Sequence, residues 1–212
     1  MKKILFPVLF ALLLSLPLQA QVEPTGKYTI DLTFDPAAIF DAAAGDMFDM
    51  PMLKMRYFLQ SDVALRAGLD YNFYGEKEYA GSSTDTYDKY RESNMMISGG
   101  IEKHFSTSRF QPYLGADLAI LSASSKLTET TAGTSVETIN PTVGYFGFGL
   151  YAAIGADFYL LNNLYIGVEF NPGIQTLNHK DTKLDGTVTQ TGGKETSFGL
   201  SSASGLRIGF RF

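Results

Sequence analysis

The chain has 212 residues, a length that suits one β-domain. It contains no cysteine, which excludes both a disulfide framework and a lipid anchor attached to cysteine. Its 17 lysines and arginines against 22 acidic residues give a formal net charge of −5, without any basic cluster. We therefore expect no nucleic-acid partner.

The amino-terminal end has the pattern of a secretory signal peptide. Lys2 and Lys3 precede an apolar run at residues 4–18, and Ala20 supplies the small residue before a cleavage site. A membrane anchor is the alternative, but the run is shorter than the roughly 20 apolar residues of a spanning helix and contains two prolines. We expect residues 1–20 to be the signal peptide.

The expected mature chain, residues 21–212, forms a single predicted domain. Loss of two lysines changes its formal net charge from −5 to −7. No later segment approaches the length of an apolar spanning helix. A closed barrel is the other structure that satisfies the backbone inside a bilayer, so a membrane location would require a barrel.

Eight segments show the two-residue alternation of side chains that is typical of β-strands. The predicted strands span residues 28–34, 53–60, 63–74, 94–105, 113–120, 146–160, 164–171 and 197–212. In the sixth, Phe146, Phe148 and Leu150 occupy one face, whereas Gly147 and Gly149 occupy the other. The pattern predicts an all-β fold.

The connections between these segments alternate in length. The short ones are residues 61–62, 106–109 and 161–163, and the long ones are residues 36–52, 75–90, 122–142 and 178–196. Short periplasmic turns and long surface loops are typical of transmembrane barrels with both termini in the periplasm. The sequence therefore predicts an eight-stranded antiparallel up-and-down transmembrane β-barrel.

A soluble barrel of the lipocalin type is the rival fold. Apolar and polar side chains would alternate equally well along its strands, but the apolar face would lie inside and the polar face in water. Here the polar face is crowded with glycine and with charges of both signs, which suits a narrow packed interior. The apolar face carries aromatic residues near the strand ends, as a lipid-facing wall does. These two observations favour the membrane barrel.

Charged side chains on the polar face predict an interior network. Its predicted members are Asp31, Arg56, Arg66, Asp70, Glu102, Asp117, Asp157, Glu169, Arg207 and Arg211. The last strand should lie between the seventh and the first, so that Arg207 is flanked by Glu169 and Asp31. Buried charges need partners, and a mixed set of acids and arginines can satisfy itself. A structural ion-pair core is the favoured interpretation, and a proton- or ion-conducting path through these residues is the alternative.

Catalysis has little support in the sequence, and we expect no enzyme activity, no catalytic residue and no cofactor. His104 and His179 are the only histidines, and no serine–histidine–acid spacing places them together. A remote alternative is a lipid-modifying enzyme that uses His179 with Glu195 and Ser197. The acidic residues of the first long loop lack regular calcium-ligand spacing, so we expect no metal.

The first long loop is unusually apolar between residues 37 and 50. Ile39, Phe40, Met47 and Phe48 follow helical spacing together with neighbouring alanines, which predicts a short amphipathic helix. It could pack on the rim, dip into lipid or cap the mouth. We treat these four side chains as candidates for loop contacts.

Two sequence motifs and the rhythm of turns and loops carry a family resemblance. The chain ends in RIGFRF at residues 207–212, and the fifth strand opens with PYLGA at residues 112–116. In these features the mature chain resembles the small porin-like eight-stranded outer-membrane barrels of Gram-negative bacteria: the OmpA transmembrane domain, OmpX and OmpW. No carboxyl-terminal peptidoglycan-binding domain is expected.

The resemblance implies a location and a set of partners. These are the outer membrane of a Gram-negative bacterium, its lipid and lipopolysaccharide, and the barrel insertion machinery, which would read Phe210 and Phe212. It also implies extracellular ligands at the long loops. The expected function is a structural or surface-interaction role with a sealed interior. A narrow channel or transporter for small molecules, including hydrophobic ones, is the alternative.

The terminal aromatic residue generates a first prediction. Replacing Phe212 by Asp should slow membrane insertion, because the aromatic end is the expected recognition element. The measurement is the yield of folded protein in cells, compared with Phe105→Asp as a control at another strand end. Equal folded yields of Phe212→Asp and the native chain would contradict the role given to Phe212.

Overall fold

The computed structural model describes residues 27–34, 51–80, 86–131, 134–139 and 144–212. The expected signal peptide and the contact candidates Ile39, Phe40, Met47 and Phe48 lie outside these residues. The described residues form an all-β, antiparallel structure. Among them there is no helix long and apolar enough to cross a membrane.

Thirteen strands make up the described part of the chain. They are β1 (Tyr28–Phe34), β2 (Met52–Phe58), β3 (Val63–Tyr79), β4 (Tyr87–His104), β5 (Phe110–Thr131), β6 (Thr134–Ile139), β7 (Tyr145–Tyr159), β8 (Leu164–Phe170), β9 (Pro172–His179), β10 (Thr182–Leu184), β11 (Thr187–Gln190), β12 (Lys194–Leu200) and β13 (Gly205–Arg211).

Eight of these strands close into a ring. Its order is β5-β4-β3-β2-β1-β13-β8-β7, and the pairing of β7 with β5 completes the circle. The last strand meets the first with Ile30 opposite Phe210 and Thr33 opposite Arg207. The Phe212 amide also donates to the carbonyl of Tyr28 at 2.8 Å. The two ends of the described chain therefore meet along one seam.

The two-residue alternation separates an apolar outside from a polar inside. Along β2, Met52, Lys54 and Arg56 are buried, whereas Leu53 and Met55 are exposed. The exposed apolar side chains recur on every strand of the ring. This is the reverse of a soluble barrel, in which the apolar face would be buried.

The predicted long loops contain much more strand than expected. The β3–β4 pairing continues to Tyr79 opposite Tyr87, and β5 continues to Thr131. Strands β6, β10 and β11 lie in segments that were predicted to be loops. These extensions carry mostly polar side chains with scattered apolar ones, such as Val136, Leu184 and Val188, so no regular apolar alternation marks them. Their stability comes from continuing the ladder hydrogen bonds of the strands below.

The predicted last strand, residues 197–212, is interrupted rather than continuous. Strands β12 and β13 are separated by residues 201–204, which are not part of either strand. Across the break, Leu200 pairs with Pro172 and Gly205 pairs with Glu169, so four residues lie opposite two. An insertion of two residues leaves the in–out alternation unchanged, which is why the sequence pattern did not reveal it.

Candidate functional site

Charged side chains from all eight ring strands meet inside the ring, towards the end that carries the described termini. We call this set the ion-pair core. Its members are Asp31, Lys54, Arg56, Arg66, Glu102, Asp117, Asp157, Glu169 and Arg207, and each is at most 8 % exposed. They occupy inward positions because each strand alternates its side chains between the two faces of the sheet.

Arg56 lies at the centre of one half of the core. Its Nη1 atom is 3.0 Å from Glu102 Oε1 and 2.7 Å from Asp157 Oδ2. Its Nη2 atom donates to the Tyr165 hydroxyl at 2.6 Å, and Nε donates to Thr29 Oγ1 at 3.1 Å. One guanidinium thus connects strands β1, β2, β4, β7 and β8.

Arg66 connects three carboxylates with its three nitrogen atoms. Nη1 is 2.8 Å from Glu102 Oε2, Nη2 is 2.6 Å from Glu169 Oε1, and Nε is 2.9 Å from Asp117 Oδ1. The planar fork of a guanidinium suits such multiple contacts better than an ammonium does. Arg66 therefore joins β3 to β4, β5 and β8.

Arg207 lies between carboxylates from the two strands that flank β13. Nε and Nη2 donate to the two oxygens of Asp31, each at 3.0 Å, in a bidentate pair. Nη1 is 2.9 Å from Glu169 Oε2 and also contacts the Tyr113 hydroxyl. With 1 % of its surface exposed, Arg207 depends on these partners for its charge to be tolerated.

Sequence reasoning missed several polar members of this interior. Lys54 Nζ is 2.5 Å from Glu169 Oε1 and donates to the Ala203 carbonyl at 2.8 Å. His104 Nε2 lies 2.8 Å from Glu102 Oε1. The available signal was position, since Lys54 and His104 share the inward face with Arg56 and Glu102 in the alternating pattern.

Two tyrosines complete the core, and glycines make room for them. A side chain at Gly155 would collide with the Tyr113 hydroxyl, and one at Gly209 would collide with the Tyr165 ring. Tyr113 donates to Glu169, which also pairs with Arg207. Inward glycines therefore let large rings lie against the sheet and reach the charged groups.

Two residues of the predicted interior network, Asp70 and Arg211, are not part of the ion-pair core. Asp70 accepts hydrogen bonds from Asn72 Nδ2 at 3.1 Å and from Ser202 Oγ at 2.9 Å, further towards the other end of the ring. The guanidinium carbon of Arg211 lies 3.8 Å from the centre of the Phe58 ring. The shared face was predicted from the sequence, but the distance of each side chain along the interior was not.

The predicted insertion residues lie on the outer surface. Phe210 and Phe212 are about half exposed, and their ring centres are 6.5 Å apart. The Phe212 ring also stacks near Tyr28 at 6.0 Å. Together these rings form an aromatic patch at the seam where the first and last strands meet.

Comparison with known proteins agrees with this architecture. The model of the family described as "Putative OmpA-OmpF-like porin family" matches residues 38–212. The chain belongs to this porin-like family. No curated protein matches the chain. Together with the antiparallel all-β fold, membership supports an outer-membrane β-barrel protein.

The interior of this porin-like protein changes character beyond the ion-pair core. There, inward side chains form an apolar layer, which consists of Met52, Met96, Ala119, Leu121, Tyr151, Leu177 and Ala203. Porin-type interiors are usually polar because they hold water. An apolar layer therefore lies next to the ion-pair core inside the ring, and the sequence analysis did not predict it.

Metal binding by histidine and acidic side chains requires particular arrangements of these groups. Within the described ranges, no group of three or more histidine, aspartate or glutamate side chains is placed to hold a metal ion. His179 Nε2 lies 3.3 Å from Glu195 Oε2, and the Glu195 side chain is 56 % exposed. The core residues are engaged in mutual contacts, which suits cohesion of the structure.

The contacts of Arg207 generate a quantitative prediction. Arg207→Ala should remove the bidentate partner of Asp31 and one of the three cationic partners of Glu169, which keeps Lys54 and Arg66. Breaking a buried pair typically costs about 3–5 kcal/mol, so the variant should be less stable by about this amount. The measurement is the free energy of unfolding by urea from lipid vesicles. Arg91→Ala, at an exposed position, is the control and should change little. Equal stability of the two variants would contradict the ion-pair core.

Proposed function

We propose that this protein is an eight-stranded transmembrane barrel that serves as a sealed outer-membrane scaffold for surface interactions. The single observation that carries the proposal is the packing of the ion-pair core. Its paired residues are at most 8 % exposed and come from every strand of the ring. In an eight-stranded barrel the side chains just fill the interior, which leaves no aqueous pore.

The outer surface of the ring suits contact with lipid. On the ring strands, the apolar side chains of Leu118 and Phe148 are 69 % and 57 % exposed. Exposed apolar surface of this extent is typical of a membrane interface. Outer-membrane lipid and lipopolysaccharide are therefore the proposed neighbours of the wall, with both termini on the periplasmic side.

The surface-interaction role is assigned to the strands that continue past the ring. The β3–β4 hairpin is paired as far as Tyr79 and Tyr87, and Lys77 Nζ lies 4.5 and 3.7 Å from the centres of these rings. A cation held between two aromatic rings stiffens the hairpin. A stiff projecting hairpin loses little conformational entropy when an extracellular ligand binds.

The second candidate function is passage of small molecules, including hydrophobic ones. The apolar layer of the interior favours it, because a sealed structural plug does not need apolar side chains there. Any through-passage would still have to open the ion-pair core, which lies below this layer. We therefore place this function second.

A gel experiment tests the barrel and its location. The protein should fractionate with the outer membrane, and the unboiled form should migrate apart from the boiled chain, because closed barrels resist detergent. The boiled sample is the internal control. Recovery in the soluble periplasm, or identical migration of the two samples, would contradict the proposal.

Conductance separates the scaffold from the channel. Native protein in planar bilayers should remain at the background of protein-free bilayers, because the guanidinium and carboxylate groups fill the inner half. A large porin inserted under the same conditions controls for detection. Discrete conductance steps from the native protein would contradict the sealed scaffold and support passage.

A further inference from the structure

Residues 201–204, between β12 and β13, form a segment that we call the lumen strap. Leu200 pairs with Pro172 on one side of it, and Gly205 pairs with Glu169 on the other. The strap therefore holds four residues where the neighbouring strand has two. The two excess residues must leave the plane of the sheet.

The strap turns into the ring rather than towards lipid. Ala203 is 5 % exposed and packs in the apolar layer. Its carbonyl accepts from Lys54 Nζ at 2.8 Å on β2, and Ser202 Oγ donates to Asp70 Oδ2 at 2.9 Å on β3. Strand β3 is the third strand from β13 around the ring, so the strap reaches across the interior above the ion-pair core.

Local hydrogen bonds make the strap a compact unit. The Ser201 amide donates to the Asn171 carbonyl at 3.0 Å, and the Asn171 amide donates to Ser204 Oγ at 2.8 Å. Within the strap, the Ser204 amide donates to the Ser201 carbonyl at 3.0 Å. Only small side chains are involved, so the segment can leave the interior without extracting a large buried group.

An alternative register exists for β12 that would absorb the strap. If β12 moved outward by two residues, about 7 Å at roughly 3.4 Å per residue, every side chain would keep its face because the strand period is two. Ser197 would then pair with Leu177 instead of Gln175. In the observed register Glu195 pairs with Leu177, and its Oε2 atom is 3.3 Å from His179 Nε2. In the slipped register Glu195 would pair with His179 directly.

We propose that the lumen strap is a retractable cover, and that a two-residue slip of β12 along β9 withdraws it from the interior. Withdrawal uncovers a cup whose wall is the apolar layer and whose floor is the ion-pair core. The result is a recess open to the outside and closed to the periplasm. This conformational device goes beyond the sealed scaffold, which needs no moving part.

The chain has no cysteine, so engineered pairs can report the register directly. Gln175→Cys with Ser197→Cys reports the observed register, and Leu177→Cys with Ser197→Cys reports the slipped one. Gln175→Cys with Glu195→Cys is the matched control, because these two residues would pair only if β12 moved inward by two residues. The probe is oxidative disulfide formation in folded protein in lipid vesicles.

We expect disulfides in the observed and slipped pairs but not in the oppositely displaced control. Adding Ser202→Ala, which removes the bond to Asp70, should increase the slipped product, whereas Ser93→Ala on the β4 surface should not. Equal yields from the slipped and control pairs would overturn the proposal, because ordinary strand fluctuation treats both directions alike. An unchanged slipped yield in Ser202→Ala would also contradict it.

A deletion tests whether the strap covers the cup. Removing residues 202 and 203 leaves two residues opposite two, so both flanking registers are retained. Ala119→Cys then serves as a reporter in the apolar layer, probed with a membrane-impermeant thiol reagent. Labelling should be at least about tenfold faster without the strap, since protection follows the population of the closed state.

Ala119→Cys in the native background and in Ser93→Ala supplies the control labelling rates. Separate migration of boiled and unboiled samples shows whether the deletion variant is folded. Unchanged labelling of a folded deletion variant would refute the cover. If the variant does not fold, the disulfide pairs still decide the proposal. Neither assay measures conductance, so failure of the strap and failure of the sealed scaffold are distinguishable.

Discussion

The structure depends on one constraint: a charge inside a closed ring of eight strands must find its partner there. Each strand of the ring contributes at least one member of the ion-pair core, from Asp31 on β1 to Arg207 on β13. Five carboxylates face four cationic side chains, so the core is close to neutral. Because one guanidinium contacts several strands, pairing within the core also fixes how the strands are placed relative to one another.

The faces and order of the ring strands could be predicted from the sequence, because burial inside a narrow ring imposes a strict two-residue alternation. The flanking of Arg207 by Asp31 and Glu169 followed from strand order alone. The extensions β6, β10 and β11 could not be predicted, since their sequences have no regular apolar face. Lys54 and Tyr113 share the inward face with the predicted members, but the alternating pattern gives a face and not the groups that each side chain reaches.

Three levels along the ring axis give the molecule its division of roles. The inner level is the ion-pair core, which lies towards the end of the ring that carries the described termini. The middle level is the apolar layer, crossed by the lumen strap through Ala203. The outer level consists of projecting strands such as the β3–β4 hairpin. The proposed closure, covered recess and contact surface are thus assigned to separate parts of one sheet.

The central claim is that the ion-pair core acts as a coupled unit. A double-mutant cycle on Arg66 and Glu169, whose charged atoms are 2.6 Å apart, tests it most directly. Unfolding free energies are measured for Arg66→Met, Glu169→Gln and the double variant. The account predicts a coupling energy above about 1 kcal/mol, whereas costs that add to within about 0.5 kcal/mol would contradict it.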